Sequence, residues 1–124
     1  MKHHIYWQKT GVFRKAGIDT YFTYVGYAGN GKGLNNPDME NVVRVGPLHC
    51  GFYNIGEPYT HERLGPLVMK LDAWEPLFGR SAFRIHGDNA KGDKSASEGC
   101  IILPRIARQA IIDSGVRVLA VIRE

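Results

Sequence analysis

The sequence has no run of about 18 apolar residues, so it contains no candidate membrane-spanning helix. Its first residues, MKHHIYWQKTGVF, lack the apolar stretch of a secretory signal, and we therefore expect synthesis in the cytoplasm without a signal peptide. Lysine and arginine form no basic run, and no recognition motif accompanies the net charge of +4, which argues against a nucleic-acid partner. Without internal repeats, the 124 residues are expected to form one domain, 1–124.

Cysteine is scarce, because Cys50 and Cys100 are the only two. In a chain made in the cytoplasm we expect free thiols, with Cys50 packed in a sheet; the alternative is a Cys50–Cys100 disulfide. Neither C-x-x-C nor H-E-x-x-H occurs, so we expect no metal and no cofactor. The residues of metal-ligating type are His49, Cys50, His61, His86, Asp88 and Cys100. His3 and His4 are expected to be exposed at the N-terminus.

Turn-forming residues are abundant instead. The 15 glycines and six prolines favour short strands joined by tight turns over a helical bundle. Gly, Asn, Pro and Asp crowd residues 29–47, which predicts a long loop that is either functional or a connector. Aromatic and β-branched residues predict strands at 4–7, 11–15, 20–28, 50–56, 65–73, 81–87 and 116–124.

One helix is predicted, over residues 104–115. Pro104 suits the first helical position, and Gly115 suits the position past the end. Its apolar stripe is expected to consist of Ile106, Ala107, Ala110 and Ile111. These elements together predict a mainly β domain with one helix late in the chain.

The segment FRIHGDNAKGDKSASEGCIILPR, residues 83–105, carries the candidate chemistry. Alternation along its first strand gives Phe83 and Ile85 to the core, and places His86 on the opposite face. A thiol at Cys100 needs a base, which His86 would be, and amide donors for an oxyanion, for which Gly99 and Cys100 are placed. The alternative is a structural histidine and a buried cysteine that acts as a small hydrophobe.

The arrangement resembles the catalytic signature of the L,D-transpeptidase family. The matching residues are His86-Gly87 at a strand end, a short loop, and then Ser97-Glu98-Gly99-Cys100-Ile101. The stretches YAGNGKGLNNPDME, VGPLHCGFYNIG, GPLVMKL, FGRSAFRIHGDN and ASEGCIILPR resemble the subfamily of type VI secretion effectors with such domains, over roughly residues 20 to 122. The resemblance implies a single compact L,D-transpeptidase-like β-sandwich, with the helix after the catalytic Cys100.

The activity implied by the resemblance is acyl transfer on the tetrapeptide stems of peptidoglycan. Cys100 would attack the bond before the terminal D-alanine, and the acceptor would be water, a D-amino acid or the amine of another stem. The chain departs from many wall-resident members, which carry His where Glu98 stands and Arg where Ile102 stands. Arg105 either takes over the contact with the substrate carboxylate or lies at the surface.

Further site residues are proposed with an alternative for each. Asp88 either orients His86 or forms a turn, and Ser97 either shapes the loop beside Cys100 or takes part in the chemistry. Arg80 either binds a peptide carboxylate or lies in solvent. Substrate-binding candidates from the long loop are Tyr27, Asn35 and Asn36.

The subfamily resemblance implies an antibacterial toxin delivered into the periplasm of a target bacterium, with a cognate immunity protein as partner. Two alternatives remain open at this stage: a non-catalytic domain that binds the cell wall, and a phage-associated protein active on the wall.

Overall fold

The computed structural model describes residues 2–17, 23–76 and 79–124. Within these ranges one α-helix occurs, α1 (Arg105–Ser114), and short 3₁₀ turns lie at Gly31–Gly33 and Pro37–Met39. The strands are β1 (His4–Trp7), β2 (Val12–Arg14), β3 (Thr23–Val25), β4 (Tyr27–Ala28), β5 (Gly51–Ile55), β6 (Tyr59–His61), β7 (Gly65–Ala73), β8 (Arg84–His86), β9 (Ile101–Ile102) and β10 (Val118–Ile122).

The ten described strands form one sheet in the order β3-β2-β1-β10-β5-β7-β8-β9-β4, and β6 pairs with β7 beside this path. Neighbours are antiparallel except for β1 with β10 and β8 with β9, which run parallel. The mainly β architecture with one helix is the predicted one. The helix follows β9 and packs on β7, while the fully buried Ile111 joins the core.

The sheet is nearly closed, because its two end strands are consecutive in the chain. Only Gly26 separates β3 from β4. The amide of Gly26 donates to the carbonyl of Gly11 at 2.8 Å, and the next residue, Tyr27, pairs with Ile102 of β9. One residue therefore joins the two ends of the strand order.

The core lies inside this curled sheet and takes alternate residues of its strands. Tyr6 and Phe13 are fully buried from β1 and β2, and Ile85 and Ile101 are fully buried from β8 and β9. The prediction for His4 is wrong: His4 is fully buried, because the alternation that buries Tyr6 also buries the residue two places before it.

The end of the helix at Gly115 is as predicted, and Gly115 has a left-handed conformation with φ of 69°. Two other predicted details are wrong. Pro104 is extended and precedes the helix instead of occupying its first position. Ile106 is 68% exposed, and the face turned inward consists of Ala107, Arg108 and Ile111. Ala107 and Ile111 of the predicted stripe are therefore buried as expected, but an arginine is buried with them and Ile106 is not.

Candidate active site

Strands β8 and β9 bring His86 and Cys100 to one side of the sheet. They pair in parallel, with Ile85 opposite Ile101 and His86 opposite Ile102. Since Ile85 and Ile101 both point into the core, strand alternation turns their neighbours His86 and Cys100 towards the other face. His86 ends β8 and Cys100 immediately precedes β9, so the two residues lie diagonally across the strand pair, two register positions apart.

Cys100 is partly exposed and lines a pocket of about 340 Å³. Burial raises the pKa of its thiol, and the charge of Glu98 adds to the rise. The backbone amide and the guanidinium of Arg84 oppose it, since both favour a thiolate. The pocket brings the thiol within reach of a ligand, but its resting pKa is raised, whereas activated nucleophilic cysteines have a lowered one.

The imidazole of His86 is buried, and the contacts of its ring define the tautomer. Nδ1 donates to the carbonyl of Gly87 at 2.8 Å, which leaves Nε2 as the proton-accepting nitrogen. Burial lowers the pKa of His86, and the charges of Arg108 and Arg84 lower it further, while the bond to Gly87 opposes this. No hydrogen bond joins His86 to Cys100, both of which lie in the described part of the chain.

Ser97 organises the loop that carries the thiol. It is fully buried, and its Oγ donates to the carbonyl of Cys100 at 2.6 Å. The same oxygen accepts from the amides of Gly29 at 2.9 Å and Gly99 at 3.0 Å. The amide of Gly99 is thus engaged, and the amide of Cys100 remains the candidate oxyanion donor of the two predicted.

Asp88 follows His86 by two residues, but its carboxylate accepts hydrogen bonds from other groups than the imidazole. Its Oδ1 accepts from the hydroxyl of Tyr27 at 2.7 Å and from the amide of Asn89 at 2.9 Å. The Tyr27 hydroxyl also accepts from the amide of Ala96 at 3.2 Å, and burial together with Asp88 raises the pKa of Tyr27 to about 12. Tyr27 and Asp88 therefore brace the loop between His86 and Cys100, and a backbone carbonyl orients the imidazole.

Arg80 lines the pocket of the thiol, yet its guanidinium is occupied. Nη1 donates to the carbonyls of Glu40 and Pro47, at 2.6 and 2.8 Å. Nη2 donates to the carbonyls of Gly46 and Glu98, both at 3.1 Å. Arg80 is buried, so it ties the long loop to the loop before Cys100, which leaves little of it for a substrate carboxylate.

Arg105 and Asn36 lie away from this pocket. Arg105 lines a neighbouring pocket together with Tyr27 and Asp88. Asn36 caps the turn at Pro37–Met39 by accepting from the amide of Asp38 at 3.1 Å. Asn35 likewise has a local partner, since its Oδ1 accepts from the amide of Ala28 at 3.2 Å.

Two arginines that were not proposed as site residues line the pocket with the thiol: Arg44 and Arg84. Arg84 precedes Ile85 as Cys100 precedes Ile101, so the parallel register places Arg84 level with Cys100. Nε of Arg84 donates to the hydroxyl of Tyr59 at 2.8 Å. Its place on the same face as His86 is visible in the alternation of the sequence. Arg44 is exposed and comes from the long loop, so only the folded chain brings it here.

A family model described as the Tlde1 domain matches residues 23–121, which is most of the chain. The chain belongs to the Tlde1 domain family. No curated protein matches it.

The Tlde1 domain family is that of type VI secretion L,D-transpeptidase effectors, and it implies a peptidoglycan-modifying enzyme. In this Tlde1 domain the matched region contains β3 to β9, α1 and most of β10, including His86 and Cys100. Over residues 2–17, 23–76 and 79–124, no helix combines the length and the apolarity needed to cross a membrane.

Proposed function

We propose that this Tlde1 domain is a cysteine acyltransferase of peptidoglycan stems, with Cys100 as nucleophile and His86 as general base. The carrying observation is the parallel pairing of β8 with β9, which brings the end of β8, His86, near the residue just before β9, Cys100, while Cys100 lines a pocket. The family supports a peptidoglycan substrate. The substrate we propose is the tetrapeptide stem, cleaved before its terminal D-amino acid.

The first chemical step moves one proton and forms one bond. Nε2 of His86 takes the proton of the Cys100 thiol as the sulfur attacks the carbonyl carbon, so the imidazole becomes an imidazolium. The bond from Nδ1 to the Gly87 carbonyl holds the ring in the tautomer that this step needs. Approach of substrate displaces water from the pocket and brings sulfur, imidazole and carbonyl into contact.

The tetrahedral oxyanion would be stabilised by backbone amides. The amides of Cys100 and Arg84, both of which contact the sulfur, are the candidate donors to this oxyanion. The oxyanion then collapses, the carbon–nitrogen bond breaks, and His86 returns its proton to the leaving amine. Water or an amine attacks the resulting thioester in the second half, and Cys100 regains its proton.

For the substrate carboxylate, Arg84 and Arg44 are better placed than Arg105, because both line the pocket of Cys100. A guanidinium binds a carboxylate with two parallel hydrogen bonds. Arg84 uses Nε and Nη1 for Tyr59 and Ala82, which leaves Nη2 for a ligand. Arg44 is exposed and would close over the bound stem from the opposite loop.

The proposed site of action is the periplasm of a target bacterium, where peptidoglycan is made. Effector family membership supports delivery by a secretion machine. A toxin of this kind requires a neutralising immunity protein in the cell that makes it, and that protein is the proposed macromolecular partner.

The decisive experiment is incubation of the protein with purified disaccharide-tetrapeptide, followed by mass spectrometry of the products. The wild type is expected to release D-alanine, and Cys100→Ala and His86→Ala to lose release by at least about 100-fold, as expected for loss of nucleophile or base. Ile106→Gln, on the exposed face of α1, is the matched control and keeps full activity.

Equal binding of the stem by wild type and Cys100→Ala, with no release by either, would instead identify a non-catalytic wall-binding domain. Added D-amino acid distinguishes the acceptors, because exchange gives a mass-shifted tetrapeptide and hydrolysis gives a tripeptide.

A further inference from the structure

A second cluster of reactive side chains lies apart from the proposed catalytic pair. Glu40, His49 and Cys50 each offer one ligand atom, and these atoms lie within 4.8 Å of one another. Glu40 is buried, whereas His49 and Cys50 line a pocket of about 500 Å³ at the start of β5. A carboxylate, an imidazole and a thiol are the donor set that Zn²⁺ binds in proteins.

The orientation of His49 indicates a positive charge beside it. Its Nδ1 donates to the carbonyl of Cys50 at 2.9 Å, which gives Nε2 a lone pair in that tautomer. Nε2 lies 3.3 Å from Oε2 of Glu40, also a lone-pair atom. Positive charge is therefore favoured beside the two atoms: Nη1 of Arg123 already lies 2.8 Å from Oε2, and a metal ion between the imidazole and the carboxylate would add to it.

Hydrogen bonds hold the carboxylate in place for this role. Oε1 of Glu40 accepts from Nε2 of Gln8 at 2.9 Å and from the amide of Cys50 at 3.0 Å. Oε2 faces His49 and lies 3.9 Å from the sulfur of Cys50. Outer hydrogen bonds of this kind, including a ligand histidine that donates to a backbone carbonyl, are the usual support of metal ligands.

The sulfur of Cys50 lies close to the other two side chains. It is 3.9 Å from Oε2 of Glu40 and 3.9 Å from Nδ1 of His49. A divalent cation among these atoms would stabilise the carboxylate and the thiolate together. The placement of the three side chains therefore favours a metal site.

We propose that Glu40, His49 and Cys50 bind a Zn²⁺ ion through one oxygen, one ring nitrogen and the thiolate, with the fourth position open to the pocket beside β5. Binding releases the thiol proton to solvent. Arg123 donates to Oε2 of Glu40 at 2.8 Å and would share that oxygen with the metal, one lone pair each. The ion would tie the end of the long loop to the first residues of β5.

The test uses the Cys100→Ser protein, in which Cys50 is the only thiol. Co²⁺ is titrated into this protein as a spectroscopic substitute for Zn²⁺. A thiolate-to-cobalt charge-transfer band with one equivalent bound is expected, and Zn²⁺ is expected to displace it. This readout is independent of peptidoglycan cleavage, so it can succeed or fail whatever the outcome of the stem assay.

Affinity is then measured with a chromophoric chelator that competes for Zn²⁺. Cys50→Ser and His49→Ala are expected to weaken Zn²⁺ binding by at least about 100-fold, while His61→Ala leaves it unchanged. Circular dichroism checks that each variant is folded. Absence of the charge-transfer band in folded Cys100→Ser protein, or Zn²⁺ affinity equal in Cys50→Ser, would overturn the proposal and assign any bound metal to other histidines.

Discussion

A partly buried thiol and a buried imidazole both favour their uncharged forms, because a low-dielectric surrounding penalises charge. For Cys100 this raises the pKa and for His86 it lowers it. These directions favour a neutral thiol and a neutral imidazole at rest over a preformed ion pair. In the mechanism that we propose, proton transfer would therefore occur only as the sulfur attacks a bound substrate.

The pH dependence of Cys100 alkylation tests this state. Iodoacetamide reacts with the thiolate, so labelling should be slower than that of a free cysteine at pH 7 and should rise with a midpoint above about 8.5, the value of a free thiol. Labelling of Cys100 is read by mass spectrometry of its tryptic peptide, which separates it from Cys50. A midpoint below that of a free cysteine peptide would show a preformed thiolate and contradict the neutral pair.

The rate of D-alanine release should follow the other partner. A lowered pKa keeps His86 unprotonated at neutral pH, and activity is lost only as the pH falls through that lowered value, below 6.5. A profile of kcat/KM on the tetrapeptide against pH measures this loss of activity at low pH. A midpoint of this loss above 6.5 would contradict a lowered pKa for His86.

Among the secondary elements, α1 is fixed by a polar anchor. Arg108 is buried, and its Nε donates to the carbonyl of Leu103 at 3.1 Å. Its Nη1 donates to the carbonyl of Pro66 at 2.8 Å, at the start of β7. The guanidinium also lies against Gly87, so close that a side chain there would meet it at 2.7 Å. The helix thereby supports the turn that orients His86.

Replacement of Arg108 should lower the stability of the fold. Arg108→Ala leaves buried carbonyls unpaired and is expected to lower the free energy of unfolding by about 2–4 kcal/mol. Ile106→Gln, at an exposed position two residues earlier in the helix, should change the free energy of unfolding by less than about 0.5 kcal/mol. Urea unfolding followed by circular dichroism measures both. Equal losses in the two variants would show that the anchor does not stabilise the helix.

The long, patterned elements were predictable from the sequence, and the short ones were not. Strands β1 and β7 have the predicted bounds, because aromatic and β-branched residues mark them clearly. β6 and β9 were missed, since Tyr59–His61 and Ile101–Ile102 are too short to show a period and form only through their partners. The buried face of the helix was predicted only in part, because hydrophobicity assigns Ile106 to that face. In the structure Ile106 is exposed, and Arg108 is buried because it hydrogen-bonds to buried carbonyls.

The site shows the same division. A motif in one segment singled out His86 and Cys100, and alternation implied the face of His86. Arg44 and Glu40 acquire their positions from loops that pack only in the folded chain, so local patterns give no access to them. Arg80 was proposed from the sequence, but its burial between two loops was not. Glu40 in particular completes a cluster with His49 that has no recognised spacing in the sequence.

On the scale of the whole molecule, closure of the sheet depends on Gly26. A Cβ at this position would lie 1.9 Å from the carbonyl oxygen of Ile102 and 2.9 Å from a methyl carbon of Leu103. Both belong to the segment that follows Cys100. The absence of a side chain at Gly26 therefore lets the two ends of the strand order meet beside the site.

Gly26→Ala should separate these ends. Because backbone rather than a flexible side chain blocks the new methyl group, we expect a loss of about 3 kcal/mol in the free energy of unfolding. Gly56→Ala is the matched control, since the nearest atom to its Cβ would be 3.5 Å away, an ordinary contact. Thermal melting of both variants measures the difference, and a Gly26→Ala protein as stable as the control would refute this role.

The strands before the matched family region are part of the same sheet. β1 lies between β2 and β10, with Tyr6 opposite Val121 and Phe13 opposite Tyr6. The family match begins at residue 23, after these two strands. In this chain residues 4–14 therefore complete the core on which β10 and β5 rest.

The two end strands of the described sheet, β3 and β4, are three and two residues long and follow one another through Gly26. Exposed strand edges are templates on which further copies add, and they are a common origin of fibrous aggregates. Edges as short as these two offer few backbone groups for such growth. The junction at Gly26 thus bears on the colloidal behaviour of the protein as well as on its shape.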